Sequence, residues 1–202
     1  MKRLSLLFLT FIFTYNMFSQ DLGGYEEYLE KFGVKIGVNN SYMIADPVDD
    51  KYISAVKFPY LGLFTASQLS KMFALQGELG YNLLGAEYDL FSNNDPIVYS
   101  LGYIALGALL KVYPVEHVGF NIGVGLQYQF LLFANQDDLD RLDSFKSSDF
   151  DILFGASYNF DFGLLLELRY MYGLTNISNL YTNGTLANIK NSAIQIMTGW
   201  SF

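Results

Sequence analysis

Apolar side chains recur at every second position over most of the chain, the spacing that sets them on one face of an extended strand. The clearest run is 118–131, VGFNIGVGLQYQFL. Phe120, Ile122, Val124, Leu126, Tyr128 and Phe130 fall on one face; Gly119, Asn121, Gly123, Gly125, Gln127 and Gln129 fall on the other. The rule repeats in 31–42, where Phe32, Val34, Ile36 and Val38 oppose Gly33, Lys35, Gly37 and Asn39, and in 72–82, where Phe73, Leu75, Leu79 and Tyr81 oppose Gln76, Glu78, Gly80 and Asn82. It holds again in 150–160 (Ile152, Phe154, Ala156, Tyr158, Phe160 against Asp151, Gly155, Ser157, Asn159) and in 163–175 (Leu164, Leu166, Leu168, Tyr170, Tyr172 against Glu167, Arg169, Met171, Gly173). The last such run, 191–202, sets Ile194, Ile196, Trp200 and Phe202 against Gln195, Gly199 and Ser201. Segments 58–69 and 99–112 have strand composition but alternate less cleanly, so the sequence assigns them as strands without fixing their faces.

Bulk is distributed unevenly between the two faces. The apolar face carries large residues and the opposite face carries Gly plus polar or charged groups. A water-soluble barrel needs the reverse, because its apolar face must fill the interior. Large outward Leu, Ile, Phe and Tyr suit lipid, and a closed wall satisfies every backbone hydrogen bond there. Short turns are expected at Ser70-Lys71, at 114–117 and at Asp161-Phe162; long polar connections are expected near 43–57, 83–98, 132–149 and 176–189. Their strict alternation predicts an all-β chain: an eight-stranded antiparallel up-and-down transmembrane β-barrel, with short periplasmic turns and long extracellular loops.

Composition supports this class. Of 202 residues, 17% are aromatic and 16% charged, with 16 Tyr, 18 Phe, 18 Gly, 4 Pro and no Cys. The charged share falls below the roughly 25% usual for soluble domains. Lys2 and Arg3, the apolar run 4–15 and the polar stretch 16–19 predict a signal peptide over 1–20, cut near Ser19 or Gln20, although Met17 is an imperfect residue for the cleavage motif. An uncleaved anchor helix is the alternative. Residues 21–30 are then a periplasmic lead-in, with Glu26, Glu27 and Glu30, and 31–202 the barrel. Without the leader, 10 basic residues face 20 acidic ones, which argues against nucleic acid as a partner. The expected location is the cell outer membrane, with its lipid and lipopolysaccharide as surroundings. Phe202, an aromatic ending an alternating strand, resembles the signal that barrel assembly machinery recognises.

Three segments resemble a known family. Arg169-Tyr170-Met171-Tyr172-Gly173-Leu174-Thr175-Asn176-Ile177 looks like the RYxxGLxNI segment of the outer-membrane β-barrel domain common in Bacteroidetes, the PorT-like or porin-family proteins. Residues 73–81 resemble its FxLQxELxY strand. Residues 103–111 are similar to its YLxIPLLLK strand, with Gly107 where Pro is usual and Ala105 where an acid is common. The resemblance implies an outer-membrane barrel and no common activity; a few relatives serve protein secretion or gliding.

Candidate chemistry is sparse. Lys35, Glu78, Lys111, Glu167 and Arg169 are assigned to the inner face, where buried charges must pair; they are expected to form a structural network plugging the lumen. Asp137, Asp138, Asp140 and Asp143, with Arg141 and Lys146, lack EF-hand spacing and are expected to be a solvated loop rather than a calcium site, as are Asp46, Asp49 and Asp50. His117, the one His, stands beside Glu116 in a turn expected on the periplasmic side, without the partners of a lipid-modifying barrel enzyme. No catalytic, cofactor or metal site is assigned. Tyr42, Tyr60, Tyr81, Tyr99, Tyr113, Tyr128, Tyr158, Tyr172 and Trp200 are expected to form an aromatic girdle. The expected role is structural or interactive, through extracellular loops whose partner the sequence does not name. The alternatives are a narrow channel or transporter for small solutes, an accessory barrel of a secretion system, and an exported soluble barrel holding a lipophile.

Overall fold

The computed structural model describes residues 32–46, 53–89, 96–115, 119–137, 139–179, 181–182 and 185–202. The expected leader and lead-in, His117, Glu116, Asp138, Asp49 and Asp50 lie outside the described residues. Eight long strands run in chain order: β1 Phe32–Asp46, β2 Val56–Gln68, β3 Phe73–Tyr88, β4 Ile97–Val112, β5 Phe120–Gln136, β6 Ser148–Asn159, β7 Leu164–Gly173 and β8 Asn188–Ser201. Each pairs antiparallel with its sequence neighbours, and β1 pairs with β8 from Gly33↔Ser201 to Asp46↔Asn188. That last ladder closes the sheet, so the chain forms an eight-stranded antiparallel up-and-down barrel without a free edge.

The outer wall is apolar. Ile36, Leu61, Leu79, Leu106, Ile122, Phe154 and Leu168 stand exposed around the circumference, with Ile196 reaching 64%. So continuous a belt on every strand is the outward band of a membrane barrel. Aromatic residues flank it. At the end bearing 69–72, 113–115 and 160–163 (the turn end), Tyr158, Phe160, Phe162 and Trp200 form a chain of ring contacts. Toward the opposite, loop end, the hydroxyls of Tyr42 and Tyr170 meet at 3.1 Å, and Lys190 Nζ lies 5.7 Å from the Tyr172 ring centroid.

Three differences from the sequence expectation share one cause. Strands β1, β3 and β5 continue to Asp46, Tyr88 and Gln136, into stretches expected as loops. The extensions carry inward Met43, Leu84, Ala86, Tyr88 and Ala134, which bury one another with Leu101, Tyr103, Leu153, Met171, Ile177 and Phe145. The loop-end interior is therefore an apolar core, and its burial keeps the strands paired beyond the membrane band. Second, β2 and β4 blur the alternation because they are apolar on both faces: Tyr60, Phe64, Leu101, Tyr103 and Leu109 point inward, Leu61, Leu63, Ile104 and Leu106 outward. Third, Tyr60 is not a girdle residue but a buried one, and Tyr99 meets Tyr88 and Phe145 at the mouth. A bulge between Gly102 and Tyr103, opposite Phe133 and Leu131, resets the facing at the end of β5 so that Ala134 enters the core.

Glycine makes room for the inward aromatics. Gly62 and Gly80 are directly paired across β2 and β3, and a Cβ at either would run into the Tyr60 ring. Gly62→Val is accordingly expected to displace Tyr60 and lower the free energy of unfolding by about 1–3 kcal/mol, the usual result of overpacking. Leu61→Val on the lipid face should cost less. Urea unfolding in detergent, followed by the fluorescence of the single Trp200, gives both values.

Candidate functional site

The wall carries its chemistry inward, and the lumen is stacked in layers. Nearest the turn end, Lys111 of β4 donates to Ser157 Oγ of β6 at 3.4 Å, and Ser157 donates to Asn121 Oδ1 of β5 at 2.6 Å. Alternation dictates this: Lys111, Asn121 and Ser157 each occupy an inward position near the turn end of their strands.

Next comes an ionic layer. Lys35 of β1 reaches Glu78 Oε1 at 2.8 Å and Glu167 Oε2 at 2.6 Å, and its Nζ sits 4.7 Å from the Phe64 ring centroid. Arg169 of β7 grips Glu78 with Nη1 on Oε2 at 2.7 Å and Nη2 on Oε1 at 2.6 Å, while Nε and Nη2 both reach Glu167 Oε1. Strands β3 and β7 are four apart in the circular order and so face each other across the barrel. The two-pronged Arg169–Glu78 contact therefore crosses the lumen, with the geometric specificity of a fork meeting a carboxylate. All four side chains are buried, and two cations balance two carboxylates.

Of the five inward charges named from the sequence, Lys35, Glu78, Glu167 and Arg169 come together in one cluster. Lys111 stands beside it, acting electrostatically on Glu167 but hydrogen-bonded to Ser157. Sequence separation hides such a cluster, since Arg169 and Glu78 lie 91 residues apart. Only the register of a closed barrel brings them level.

Above the ions lies a relay of amides. Gln195 Nε2 donates to Asn39 Oδ1 at 2.8 Å, Asn82 Nδ2 to Gln129 Oε1 at 2.8 Å, and Gln129 Nε2 to Asp151 Oδ2 at 2.7 Å. Asp149 completes the layer, accepting from Thr175 Oγ1 at 2.5 Å and from Asn191 Nδ2 at 2.8 Å; Asn191 also donates to the Tyr103 hydroxyl at 3.2 Å. Sequence reasoning missed Asp149 as an inward residue, because the connection was expected to run to 149. It placed Asp151 on the inner face but gave it no role. The Asp149-x-Asp151 spacing on a strand was the available signal, since period two puts both carboxylates on one face.

Two connections knit a cap over the loop-end mouth. Lys146 N–H donates to the Ile177 carbonyl at 2.7 Å, Asn179 N–H to the Ser144 carbonyl at 2.9 Å and Asn179 Nδ2 to the Phe145 carbonyl at 3.0 Å. Phe145 and Ile177 are thereby buried in the apolar core. Asp137, Asp140 and Asp143 of the same connection are exposed; Asp137 Oδ1 accepts from Val98 N–H of β4, and Asp140 Oδ1 accepts from Leu142 N–H two residues on, as a turn cap. Among the described residues no group of three or more His, Cys, Asp or Glu side chains is arranged to hold a metal.

Breaking one member of the ionic layer should expose its dependence on charge pairing. Glu78→Ala leaves Arg169 and Lys35 facing one carboxylate, and is expected to cost about 3–5 kcal/mol of stability. Glu78→Gln combined with Arg169→Met removes a charge of each sign and should recover part of that loss. Urea titration of the two variants beside the parent barrel reads the difference.

Residues 18–179 match the family model described as the outer membrane protein beta-barrel domain. Among solved structures, Neisserial surface protein A aligns with a TM-score of 0.56 at 14% identity, over 85% of this chain and 97% of that one. The outer membrane protein OprG from Pseudomonas aeruginosa aligns at 0.47 and 12% identity, over 86% and 99%. The outer membrane enzyme PagL aligns at 0.45 and 10%, over 84% and 99%. No curated protein matches the sequence significantly. At 14% identity the Neisserial structure speaks to the fold alone, while the family model spans most of the chain; with its closed wall and apolar belt, the chain belongs to the outer-membrane protein β-barrel domain family.

Proposed function

We propose that this barrel is a plugged structural or interaction protein of the outer membrane, which presents its loop end outside the cell and conducts no solute. The observation that carries the reading is the Arg169–Glu78 contact across the lumen, with the amide relay and the Phe145–Ile177 cap stacked above it. An eight-stranded wall encloses room only for its own side chains or one small ligand. A solute would have to dismantle three layers of buried contacts to pass.

The reading places the turn end in the periplasm and the loop end outside, as in other bacterial barrels. Its surroundings are then the outer-membrane lipid and lipopolysaccharide, and Phe202 is the group offered to the assembly machinery. The segment from Arg169 to Ile177 favours the PorT-like branch of the family. We read the protein as non-enzymatic, since the ionic layer is spent on internal pairing. Export rests on the 1–20 leader.

Two measurements test this. In planar bilayers the purified barrel is expected to show no discrete conductance steps in concentrated KCl; reproducible steps would favour the channel reading instead. Intact-mass analysis of the protein extracted from outer membranes should find the chain beginning at Gln20 or Asp21. A mass that retains Lys2 and Arg3 would replace the cleaved leader with an anchor.

A further inference from the structure

Of the cations on the long strands, Lys35, Lys111 and Arg169 turn inward. The others, Lys57 of β2 and Lys190 of β8, turn outward, on the two strands that flank β1. Lys57 lies opposite Asn40 and Lys190 opposite Ile44, with Tyr42 between them on the same face of β1. That offset along β1, taken with two strand spacings across it, sets the lysine Cα positions about 16 Å apart. Among the described residues neither ammonium has a carboxylate partner. Glu87, an outward acid on β3, makes no ion pair with Lys57, and Lys190 is held over the Tyr172 ring.

The wall around these lysines is polar where the rest is apolar. Ser192 of β8 faces outward by register yet is buried, and its Oγ stands 3.1 Å from both the Tyr170 hydroxyl and the Met171 carbonyl. The Tyr42 hydroxyl joins this group, 3.1 Å from that of Tyr170. Hydroxyl and ammonium groups thus gather near the loop end on β7, β8, β1 and β2. A girdle that marks the membrane boundary runs round the whole circumference. This group is one-sided: on β3 to β6 the outward loop-end positions include Leu83, Ile104, Leu132 and Phe150, and no Lys or Arg faces outward. Toward the turn end from the polar group, Val38, Leu61, Leu168, Ile194 and Ile196 leave the wall apolar.

We propose that this face of the wall binds the head of one phosphorylated glycolipid, the lipopolysaccharide of the outer leaflet, with its acyl chains laid along the apolar strip. The inference rests on the placement of the loop end outside the cell. Charge complementarity carries it. The chain's formal net charge is −8, so its surface as a whole repels an anionic head, and this face is the exception. A lysine ammonium serves phosphate as a point charge. The Tyr42 and Tyr170 hydroxyls, each both donor and acceptor, suit the sugar between the phosphates. The lysine spacing selects the lipid: a head with two phosphates reaches both ammonium groups, whereas a phospholipid with one phosphate and no sugar reaches one of them.

The test titrates the full barrel, folded in detergent, with purified bis-phosphorylated lipid A and counts the lipid retained by native mass spectrometry. The parent is expected to hold one. Lys57→Gln or Lys190→Gln should each weaken retention about fivefold, and the two together about twenty- to thirtyfold. Lys71→Gln, at the turn end, should leave it unchanged. Faster gel migration before boiling shows that each variant is folded, and either single variant suffices should the double one fail. Equal retention of dephosphorylated lipid A overturns the proposal, as does displacement by an equal concentration of phosphatidylglycerol or parent-like affinity in both lysine variants. Orientation is read separately. Asp140→Cys, in a chain with no other Cys, should react with a membrane-impermeant maleimide on intact cells. Absence of labelling would overturn the orientation and with it the outer-leaflet occupant; labelling without lipid A retention would overturn the site alone.

Discussion

An eight-stranded wall leaves no room for bulk water, so the polar side chains that turn inward must find their partners among one another, mostly on other strands. Most of this lumen follows from that constraint. Lys35, Glu78, Glu167 and Arg169 come from three strands, and none of them could be satisfied by its own strand neighbours alone. The Arg169 fork on Glu78 spans the full width, which couples opposite walls through charge as the β1–β8 ladder couples the ends through backbone. An apolar lumen would be at least as stable by energy alone, because replacing buried ion pairs with well-packed hydrophobes is often neutral or favourable. What ions add is selectivity of register. A one-residue slip of β1, β3 or β7 would turn its charges toward lipid.

The layers divide the interior by what each strand can supply. Toward the turn end glycines flank the inward positions, leaving long charged side chains space to reach across. Toward the loop end the same wall carries Leu84, Leu101, Leu153 and Met171, which form a hydrophobic core beside the buried Asp149, Asp151 and Asn191. Phe145 and Ile177 belong to that core although they arise from connections, so the cap is held by burial as well as by its hydrogen bonds. The cap and the charge cluster are thus held independently, one by hydrophobic packing and the other by ion pairing.

How far this was legible in the sequence depended on whether a strand's two faces differ. Strands β1, β5 and β7 set Gly, amide and charge against large apolar residues, and period two alone places Lys35, Gln127, Gln129, Glu167 and Arg169 inside. The wall and the charge inventory were therefore readable. Tyr60, Phe64, Leu101 and Tyr103 were not, since β2 and β4 are apolar on both faces and alternation carries no signal there. The apolar core was hidden for a related reason. Its residues lie in extensions that run into polar stretches such as 47–51, 89–95 and 137–143, which read locally as loops, and only pairing with the adjoining strands keeps them extended. The acid pair fell at the edge of one such misjudged connection.

The inward charges also bear on how the chain reaches its membrane. Under the export proposed above, every strand first crosses the inner membrane as an unfolded segment. A continuous apolar run of about 18 residues would be retained there as a helix. The segment 164–174, LLLELRYMYGL, is among the most apolar of the strands, yet at eleven residues it falls short of that length, and Glu167 and Arg169 interrupt it further. Charged residues near the middle of an apolar segment cost about 2.5–3.5 kcal/mol each on the insertion scale, so the pair that meets in the lumen adds to what disfavours insertion there. Once the barrel closes, the same two side chains leave the lipid entirely and meet Glu78 and Lys35. Alternation thus reconciles two opposed demands: a segment polar enough to pass one membrane, and a surface apolar enough to remain in the next.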